Sequence, residues 1–151
     1  VTSVLSFFSA LNLISDKIKD SSFIDIFAGS GSVGLEAISR GSKRVTFIES
    51  DKNHINTISK NLDMLKETAT IIRKDALVYL ENNSDKYDII FIDPPYFKNY
   101  EQKSLELALN SDMLNKDGII ILQHHKKILL PFEAYDVRKY GINVLSFFRK
   151  S

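Results

Sequence analysis

The chain has 151 residues, of which 44% are hydrophobic and 26% are charged, a composition typical of one globular domain. It has no cysteine and only three histidines, which excludes disulfide scaffolds, thiolate metal sites and cysteine nucleophiles and argues against any metal site. Its 20 basic and 19 acidic side chains give a net charge of +1, so the total charge does not indicate nucleic-acid binding.

The first half of the chain alternates helical and strand patterns. Val4, Phe7, Phe8, Leu11 and Ile14 recur at helical spacing and predict an amphipathic helix at the start. A short apolar run over 22–26 then ends in a glycine-rich turn and predicts a buried strand. The next predicted elements are a helix over 33–39 that stops at Gly41, a strand over 44–48, and a helix with an apolar stripe at Ile55, Ile58, Leu62 and Leu65.

The second half continues this alternation and then departs from it. Strands are predicted over 70–74 and 87–92, with a short helix over 77–81 between them. Leu105, Ala108, Leu109 and Met113 indicate a further helix, and Gly118 begins the strand 119–122. Two last strands, 135–139 and 144–149, are joined by a turn at Gly141 without a helix.

This order of elements predicts an α/β fold with a mostly parallel sheet. Parallel neighbours need a crossover connection, which the intervening helices supply, and near-continuous Val, Ile and Phe runs indicate strands covered on both faces. The direct turn at Gly141 makes the last two strands an antiparallel hairpin. Because open sheets of this kind bind ligands at the carboxyl ends of their strands, functional residues are expected directly after strands.

A glycine-rich loop follows the first predicted strand. Gly29, Gly31 and Gly34 match the pattern G-x-G-x-x-G, and Glu49 lies 20 residues after Gly29, at the end of the second strand. Glycines allow a tight turn and close approach of a ligand, and a helix N-terminus offers unpaired N–H groups to an anion. Glu49 would accept hydrogen bonds from ribose hydroxyls, so the spacing predicts an adenosine-containing ligand with an anionic end.

Two ligands compete for this loop, a nicotinamide dinucleotide and S-adenosylmethionine. Asp25 lies four residues before Gly29, where its carboxylate would repel a pyrophosphate but pair with the ammonium of a methionine moiety. The loop N–H groups would then bind the methionine carboxylate, and Asp75, after the third strand, would accept from an adenine amino group. The alternative is that the loop binds no ligand and is only a tight turn between a strand and a helix, with acidic side chains exposed to solvent.

The segment Asp93-Pro94-Pro95-Tyr96 directly follows the fourth strand. Two prolines make the loop rigid and remove backbone donors, which leaves acceptors pointing outward. The Asp93 carboxylate and the Pro94 carbonyl could bind both N–H bonds of an exocyclic amine, direct its lone pair at a methyl group and stabilise the developing positive charge. Asp93 could take the leaving proton, and Tyr96 could stack on a base taken out of its stack.

These motifs resemble the class I S-adenosylmethionine-dependent methyltransferases, and within them the bacterial small-subunit (16S) ribosomal RNA guanine-N2 methyltransferases of the methyltransferase D type. The matching segments are 23–31, 34–37, 39–41, 47–49, 75–77, 93–96 and Tyr140-Gly141. The resemblance implies a Rossmann-like seven-stranded fold, S-adenosylmethionine as cofactor, and ribosomal RNA or the small ribosomal subunit as partner. It assigns catalysis to Asp93, Pro94 and Tyr96, and cofactor binding to Asp25, Ala28, Gly29, Ser30, Gly31, Gly34, Glu49 and Asp75.

Pro95 and Tyr96 would also contact the substrate base, and Lys126 and Lys127, which follow the fifth strand in His124-His125-Lys126-Lys127, would contact its phosphates. A solvated polar loop or a metal site are the alternatives for that segment. Family members usually carry an N-terminal extension with a basic hairpin, whereas this sequence opens at Val1-Thr2-Ser3. Either the sequence is truncated at its start, or this homologue lacks part of the RNA-binding segment and is expected to bind RNA less tightly by itself.

Other activities compatible with these residues are adenine-N6 or glutamine-N5 methylation, dinucleotide-dependent oxidoreduction, and a non-catalytic RNA scaffold. No run is apolar for long enough to span a membrane, and the first residues lack a signal-peptide pattern. We therefore expect residues 1–151 to form one methyltransferase domain, cytoplasmic and monomeric, with no metal or membrane partner.

Overall fold

The computed structural model describes residues 4–83 and 85–150, so the opening Val1, Thr2 and Ser3 lie outside the described residues, as do the side chains of Val4 and Phe7. Helices and strands alternate as far as the fifth strand. In chain order the elements are α1 (Val4–Leu13), α2 (Ser15–Ile18), β1 (Ser22–Ile26), α3 (Ser32–Ser39), β2 (Arg44–Glu49), α4 (Lys52–Leu65), β3 (Thr70–Arg73), α5 (Ala76–Glu81), β4 (Tyr87–Ile92), α6 (Tyr100–Asn110), β5 (Leu114–His125), β6 (Asp136–Tyr140) and β7 (Asn143–Phe148).

The strands form one seven-stranded sheet in the order β3-β2-β1-β4-β5-β7-β6. The first five strands pair in parallel, whereas β7 runs antiparallel to both β5 and β6. The direction of the chain across the sheet reverses between β1 and β4, which is where a ligand crevice opens in folds of this type. The predicted α/β class with a C-terminal antiparallel hairpin is confirmed.

Both faces of the sheet are buried, as the continuous apolar strands predict. Phe23 of β1 joins one hydrophobic cluster, and its neighbours Ile24 and Ile26 join the other. Helices α1 to α4 cover the first face, and α5 and α6 cover the second together with residues 130–134. No helix in the described ranges combines the length and apolarity needed to cross a membrane.

Strand β5 is much longer than the predicted 119–122. It begins at Leu114, which pairs with Tyr87, and continues through His124 and His125, which pair with β7. The two histidines therefore lie in a strand and are buried, and the prediction of a solvated polar loop is wrong for them. Antiparallel pairing with β7 decides this, because backbone hydrogen bonds extend a strand whatever the polarity of its side chains. Met113, predicted to be helical, is a buried residue after the end of α6.

Candidate functional site

A cavity of about 480 Å³ opens at the carboxyl ends of β1, β2, β3 and β4. Four residues predicted from the sequence line it, namely Glu49, Asp75, Asp93 and Pro95. Its other lining residues are Phe27, Ile48, Ser50, Asp51, His54, Lys74, Ala76, Lys98 and Tyr100. The cavity thus brings together acidic side chains from three different strand ends.

The glycine loop, residues 28–34, is tied to β2 by its own backbone. The N–H of Ala28 donates to the carbonyl of Ile48 at 2.9 Å, and the N–H of Gly29 donates to Oε1 of Glu49 at 2.7 Å. Ser32 and Val33 open helix α3, whose first N–H groups have no carbonyl partner one turn earlier in the helix. Those are the donors that this loop offers to an anion.

Close packing requires glycine at two positions of this loop. A Cβ on Gly34 would lie 2.3 Å from Cε1 of Phe47, and a Cβ on Gly31 would lie 2.8 Å from Cγ1 of Ile58. Gly31 also has a φ of +85°, in the left-handed region. The glycines therefore let the start of α3 approach β2 and α4 directly, which fixes the loop beside the cavity.

Asp25 lies beneath the glycine loop and is 2% exposed. Its Oδ2 accepts from the N–H of Gly34 at 3.0 Å. Burial raises the pKa of this carboxyl well above its usual value, and the nearby carboxylates of Asp93 and Glu49 raise it further. The carboxyl thus braces the loop, and its predicted pairing with a ligand ammonium remains a prediction.

Glu49 and Asp75 line the cavity from two strand ends. Oε2 of Glu49 accepts from the N–H of Asp51 at 2.8 Å and lies 3.5 Å from Nδ1 of His54, so backbone donors hold both of its oxygens in place. Asp75 caps helix α5, and its Oδ2 accepts from the N–H of Val78 at 3.0 Å. Each carboxylate is oriented by the backbone, and each oxygen can accept a further hydrogen bond.

The proline loop, residues 93–96, follows β4. Asp93 and Pro95 line the cavity, whereas Pro94 is buried. Tyr96 turns toward β5 and β7, where its hydroxyl donates to Oδ1 of Asn143. Burial raises the pKa of Tyr96, although a hydrogen bond with Gln123 opposes this, so the hydroxyl keeps its proton at neutral pH. The ring is therefore anchored from the middle of the sheet.

Sequence reasoning missed several residues of the site. The rings of Phe27 and Tyr100 stack at 6.1 Å with an interplanar angle of 15°, and both line the cavity. His54 and Lys98 line it as well. Nothing in their local sequence singles them out, because each reaches the site only through the packing of an element onto the sheet.

Strand β5 buries both His124 and His125. Nε2 of His124 lies 2.9 Å from Oγ of Ser146 and Nδ1 lies 3.0 Å from the carbonyl of His125, while burial lowers the pKa of His124. The described ranges, 4–83 and 85–150, hold no group of three or more metal-ligating side chains. Lys126 and Lys127 are exposed and lie away from the 480 Å³ cavity; Lys126 borders a separate groove of about 270 Å³.

Known structures and sequences share this architecture. The model of the family described as Conserved hypothetical protein 95 matches residues 7–149. A hypothetical protein of Thermus thermophilus superposes with a TM-score of 0.86 at 26% identity, covering 97% of this chain and 85% of that one. The 16S rRNA N2 methyltransferase RsmC of T. thermophilus, in complex with AdoMet and guanosine, gives a TM-score of 0.80 at 20% identity over 100% of this chain and 44% of that one, and shares the fold.

Among sequence relatives is the ribosomal RNA small subunit methyltransferase D of Haemophilus influenzae, 37% identical over 120 residues. The match covers 76% of this chain and 62% of that relative, so the chain spans less than two thirds of that relative's length. The residues that the family model matches include all seven strands of the sheet. The chain therefore belongs to the family described as Conserved hypothetical protein 95 and is a homologue of proteins named ribosomal RNA small subunit methyltransferase D.

Proposed function

We propose that the chain binds S-adenosylmethionine in the 480 Å³ cavity and transfers its methyl group to the exocyclic N2 amine of a guanine in small-subunit ribosomal RNA, with residues 1–151 acting as one domain. The observation that carries this proposal is the convergence of three carboxylates, those of Glu49, Asp75 and Asp93, which line this cavity from three strand ends. A crowded set of carboxylates favours a cationic ligand. S-adenosylmethionine carries two cationic groups, a sulfonium and an ammonium. A dinucleotide would instead place an anionic pyrophosphate beside the same carboxylates, which would repel it.

In this proposal the donor is bound from two sides. Glu49 accepts hydrogen bonds from the ribose hydroxyls and Asp75 accepts from the adenine amine, since both side chains line the cavity and are held by backbone donors. The first N–H groups of α3, at Ser32 and Val33, bind the methionine carboxylate. Asp25 lies below the loop, where it stabilises the positive charge of the donor through space.

The proline loop provides the chemistry of the acceptor in the same proposal. Asp93 and the carbonyl of Pro94 accept the two N–H bonds of the amine, and the ring of Tyr96 stacks on the base. The nitrogen lone pair attacks the methyl carbon, the carbon–sulfur bond breaks with its electron pair going to sulfur, and Asp93 takes one proton from the nitrogen. The products are a methylated amine, S-adenosylhomocysteine and a proton that passes to solvent.

Three lines of support bear on the RNA substrate. A relative at 37% identity is named for methylation of small-subunit ribosomal RNA. Lys126 and Lys127 are exposed just beyond β5 and would contact phosphates, while Pro95 is exposed at the mouth of the cavity. Guanine is preferred over adenine or a glutamine amide because the proline loop begins with Asp and because the surrounding segments resemble the guanine-N2 enzymes.

The test supplies radiolabelled S-adenosylmethionine with small subunits and with naked RNA from a strain that lacks the gene. We expect label in RNA, and digestion to nucleosides should yield N2-methylguanosine. Labelled N6-methyladenosine or labelled protein would instead identify the adenine or glutamine alternative. A calorimetric titration in which NADH binds more tightly than S-adenosylmethionine would contradict the donor half of the proposal.

The catalytic step is tested by Asp93→Ala. Transfer should fall by at least about a thousandfold, since loss of one preorganised charged partner in a transition state costs on the order of 10²–10³ in rate and the proton acceptor is lost as well. The affinity for S-adenosylhomocysteine should change little, because Asp93 acts on the acceptor. Full activity in this variant would overturn the mechanism.

A further inference from the structure

Phe97, directly after the proline loop, presents an apolar ring to solvent. Its side chain is 72% exposed, and its backbone has a φ of +62°, in the left-handed region that bulky L residues seldom adopt. A large exposed apolar side chain contributes nothing to the core, and such backbone conformations concentrate at functional sites. The placement of Phe97 therefore indicates a binding role.

The exposed ring is supported from behind by two other rings. Phe97 lies 5.7 Å from His125 and 6.0 Å from Tyr96, and Tyr96 and His125 lie 5.7 Å apart in an edge-to-face arrangement, all between ring centroids. His125 is buried in β5, and its Nδ1 accepts from the N–H of Lys127 at 3.1 Å. Tyr96 is held by its hydrogen bond to Asn143. The three rings thus form a surface whose inner members cannot move freely, which we call the aromatic platform.

Three lysines are close in the chain to members of the aromatic platform. Lys98 follows Phe97 in the chain and lines the donor cavity, and Lys126 and Lys127 follow His125 and are exposed. Aromatic rings beside cations suit a ligand that combines flat π faces with a polyanionic backbone, which describes single-stranded nucleic acid. An apolar protein surface would gain nothing from three lysines, and an acidic one would gain little from an exposed ring.

We propose that Phe97, backed by Tyr96 and His125, is a stacking platform for an unpaired nucleobase adjacent to the target nucleotide in the RNA substrate. This rests on the proposed function for its substrate class. A base removed from its stack loses the contact with its neighbour, and the aromatic platform replaces that contact at the moment when the target base enters the cavity. Phe97 would then be a determinant of RNA affinity, while Asp93 remains responsible for the chemistry.

The chain contains no tryptophan, which allows a direct optical test. Phe97→Trp places a single indole in the aromatic platform, and Met64→Trp, at a residue 74% exposed near the end of α4, is the matched control. A short single-stranded oligoadenylate should quench the indole fluorescence of Phe97→Trp but leave Met64→Trp unchanged. An abasic ribose-phosphate oligomer of the same length should quench neither. Equal quenching of Phe97→Trp by the abasic oligomer would overturn the proposal.

A second measurement removes the aromatic ring of Phe97 and needs no fluorescent residue. Phe97→Leu keeps an apolar side chain but removes the π face, and it should weaken binding of single-stranded RNA by roughly 5- to 150-fold, the value of one stacked base, while Phe97→Tyr should bind as the wild type does. If Phe97→Leu loses affinity for assembled subunits but not for naked RNA, Phe97 contacts a ribosomal protein, and the proposal is overturned.

The two proposals fail separately. If the wild type methylates RNA but Phe97→Leu binds and methylates RNA normally, the aromatic platform is refuted and the proposed function stands. If quenching by oligoadenylate occurs but the wild type transfers no methyl group to RNA or subunits, the proposed function is refuted and the aromatic platform stands as an RNA-binding site.

Discussion

At the residue scale, the most informative side chain is Asp25. It is buried, it is close to two other acids, and its pKa is raised above that of an ordinary carboxyl. The raised pKa favours the protonated form of Asp25, whereas a bound cation would favour the ionised form. Ligand binding and the titration of this carboxyl are thus thermodynamically linked.

The first prediction follows from the sign of that linkage. We expect binding of S-adenosylmethionine to lower the pKa of Asp25, so that binding releases a proton below the raised pKa and the affinity increases as pH rises through that pKa. Calorimetry in buffers of different ionisation enthalpy should detect the released proton. In Asp25→Asn the proton release from this site should disappear, and an affinity independent of pH in the wild type would contradict the assignment.

The second prediction concerns the anchor of Tyr96. Its hydroxyl donates to Asn143 in β7, so Asn143→Leu removes that hydrogen bond, and Tyr96→Phe removes it together with the hydrogen bond to Gln123. Each substitution should reduce the maximal transfer rate by roughly 5- to 10-fold, because one hydrogen bond contributes about 1 kcal/mol. The affinity for the methyl donor should not change.

The double variant Tyr96→Phe/Asn143→Leu should lose no more than Tyr96→Phe alone, because the effects of two substitutions that remove one shared interaction are not additive. Asn143→Asp, which keeps an acceptor oxygen, should retain most of the rate. Additive losses in the double variant would mean that Asn143 acts independently of Tyr96.

At the scale of elements, the contact between α3 and β2 positions the glycine loop. The third prediction is that Gly34→Ala destabilises the fold by about 1–3 kcal/mol, the usual cost of overpacking, because its Cβ would overlap the ring of Phe47. Urea unfolding measures this change. Phe47→Leu creates space at the same point, so Gly34→Ala/Phe47→Leu should be less destabilised than the sum of the two single changes. Strict additivity would show that the overlap is relieved elsewhere.

Strand β5 shows where element prediction from sequence reaches its limit. The apolar run 119–122 is recognisable from composition, and the structure confirms a strand there. The strand continues through Gln123, His124 and His125 because β7 supplies backbone partners along that whole length. A pairing partner from a distant part of the chain leaves no signal in the local pattern of hydrophobicity.

At the scale of the whole molecule, the net charge of +1 conceals an uneven distribution. Residues 123–151 contain six basic and two acidic side chains, whereas residues 1–122 contain 14 basic and 17 acidic ones. Within the described structure, acidic residues line the cavity of about 480 Å³, and Lys126 and Lys139 border the separate groove of about 270 Å³. One part of the surface suits a cationic cofactor, and another suits a polyanion.

The fourth prediction uses salt to separate these two parts. RNA affinity should fall steeply with ionic strength, and Lys126→Ala and Lys127→Ala should each reduce the slope of log affinity against log salt by roughly 1. Lys116→Ala is the matched control, because Lys116 is an exposed lysine in β5 that lies near the opposite end of the strand. If neither substitution changes the slope of log affinity against log salt, Lys126 and Lys127 do not contact the phosphates of the RNA.

Local patterns along the chain were enough to predict the sheet, its parallel core and its antiparallel end, because hydrophobic period, glycine position and connection length are local properties. They also selected Glu49, Asp75, Asp93 and Pro95, which the structure brings to one cavity, because residues after parallel strands must meet at the same edge. The catalytic and cofactor-binding roles of these residues stay predictions.

The surroundings of those residues depend instead on tertiary contacts. Phe27 stacks on Tyr100, Asn143 holds Tyr96, and His125 supports Phe97, although each pair joins segments that are far apart in the chain and carry no motif that links them. Such contacts depend on the register of β7 against β5 and on the packing of α6 over the sheet, and register is set by all the pairings of a sheet together. The residues that line the cavity could therefore be predicted from short motifs, whereas the contacts that hold them and the aromatic platform required the folded molecule.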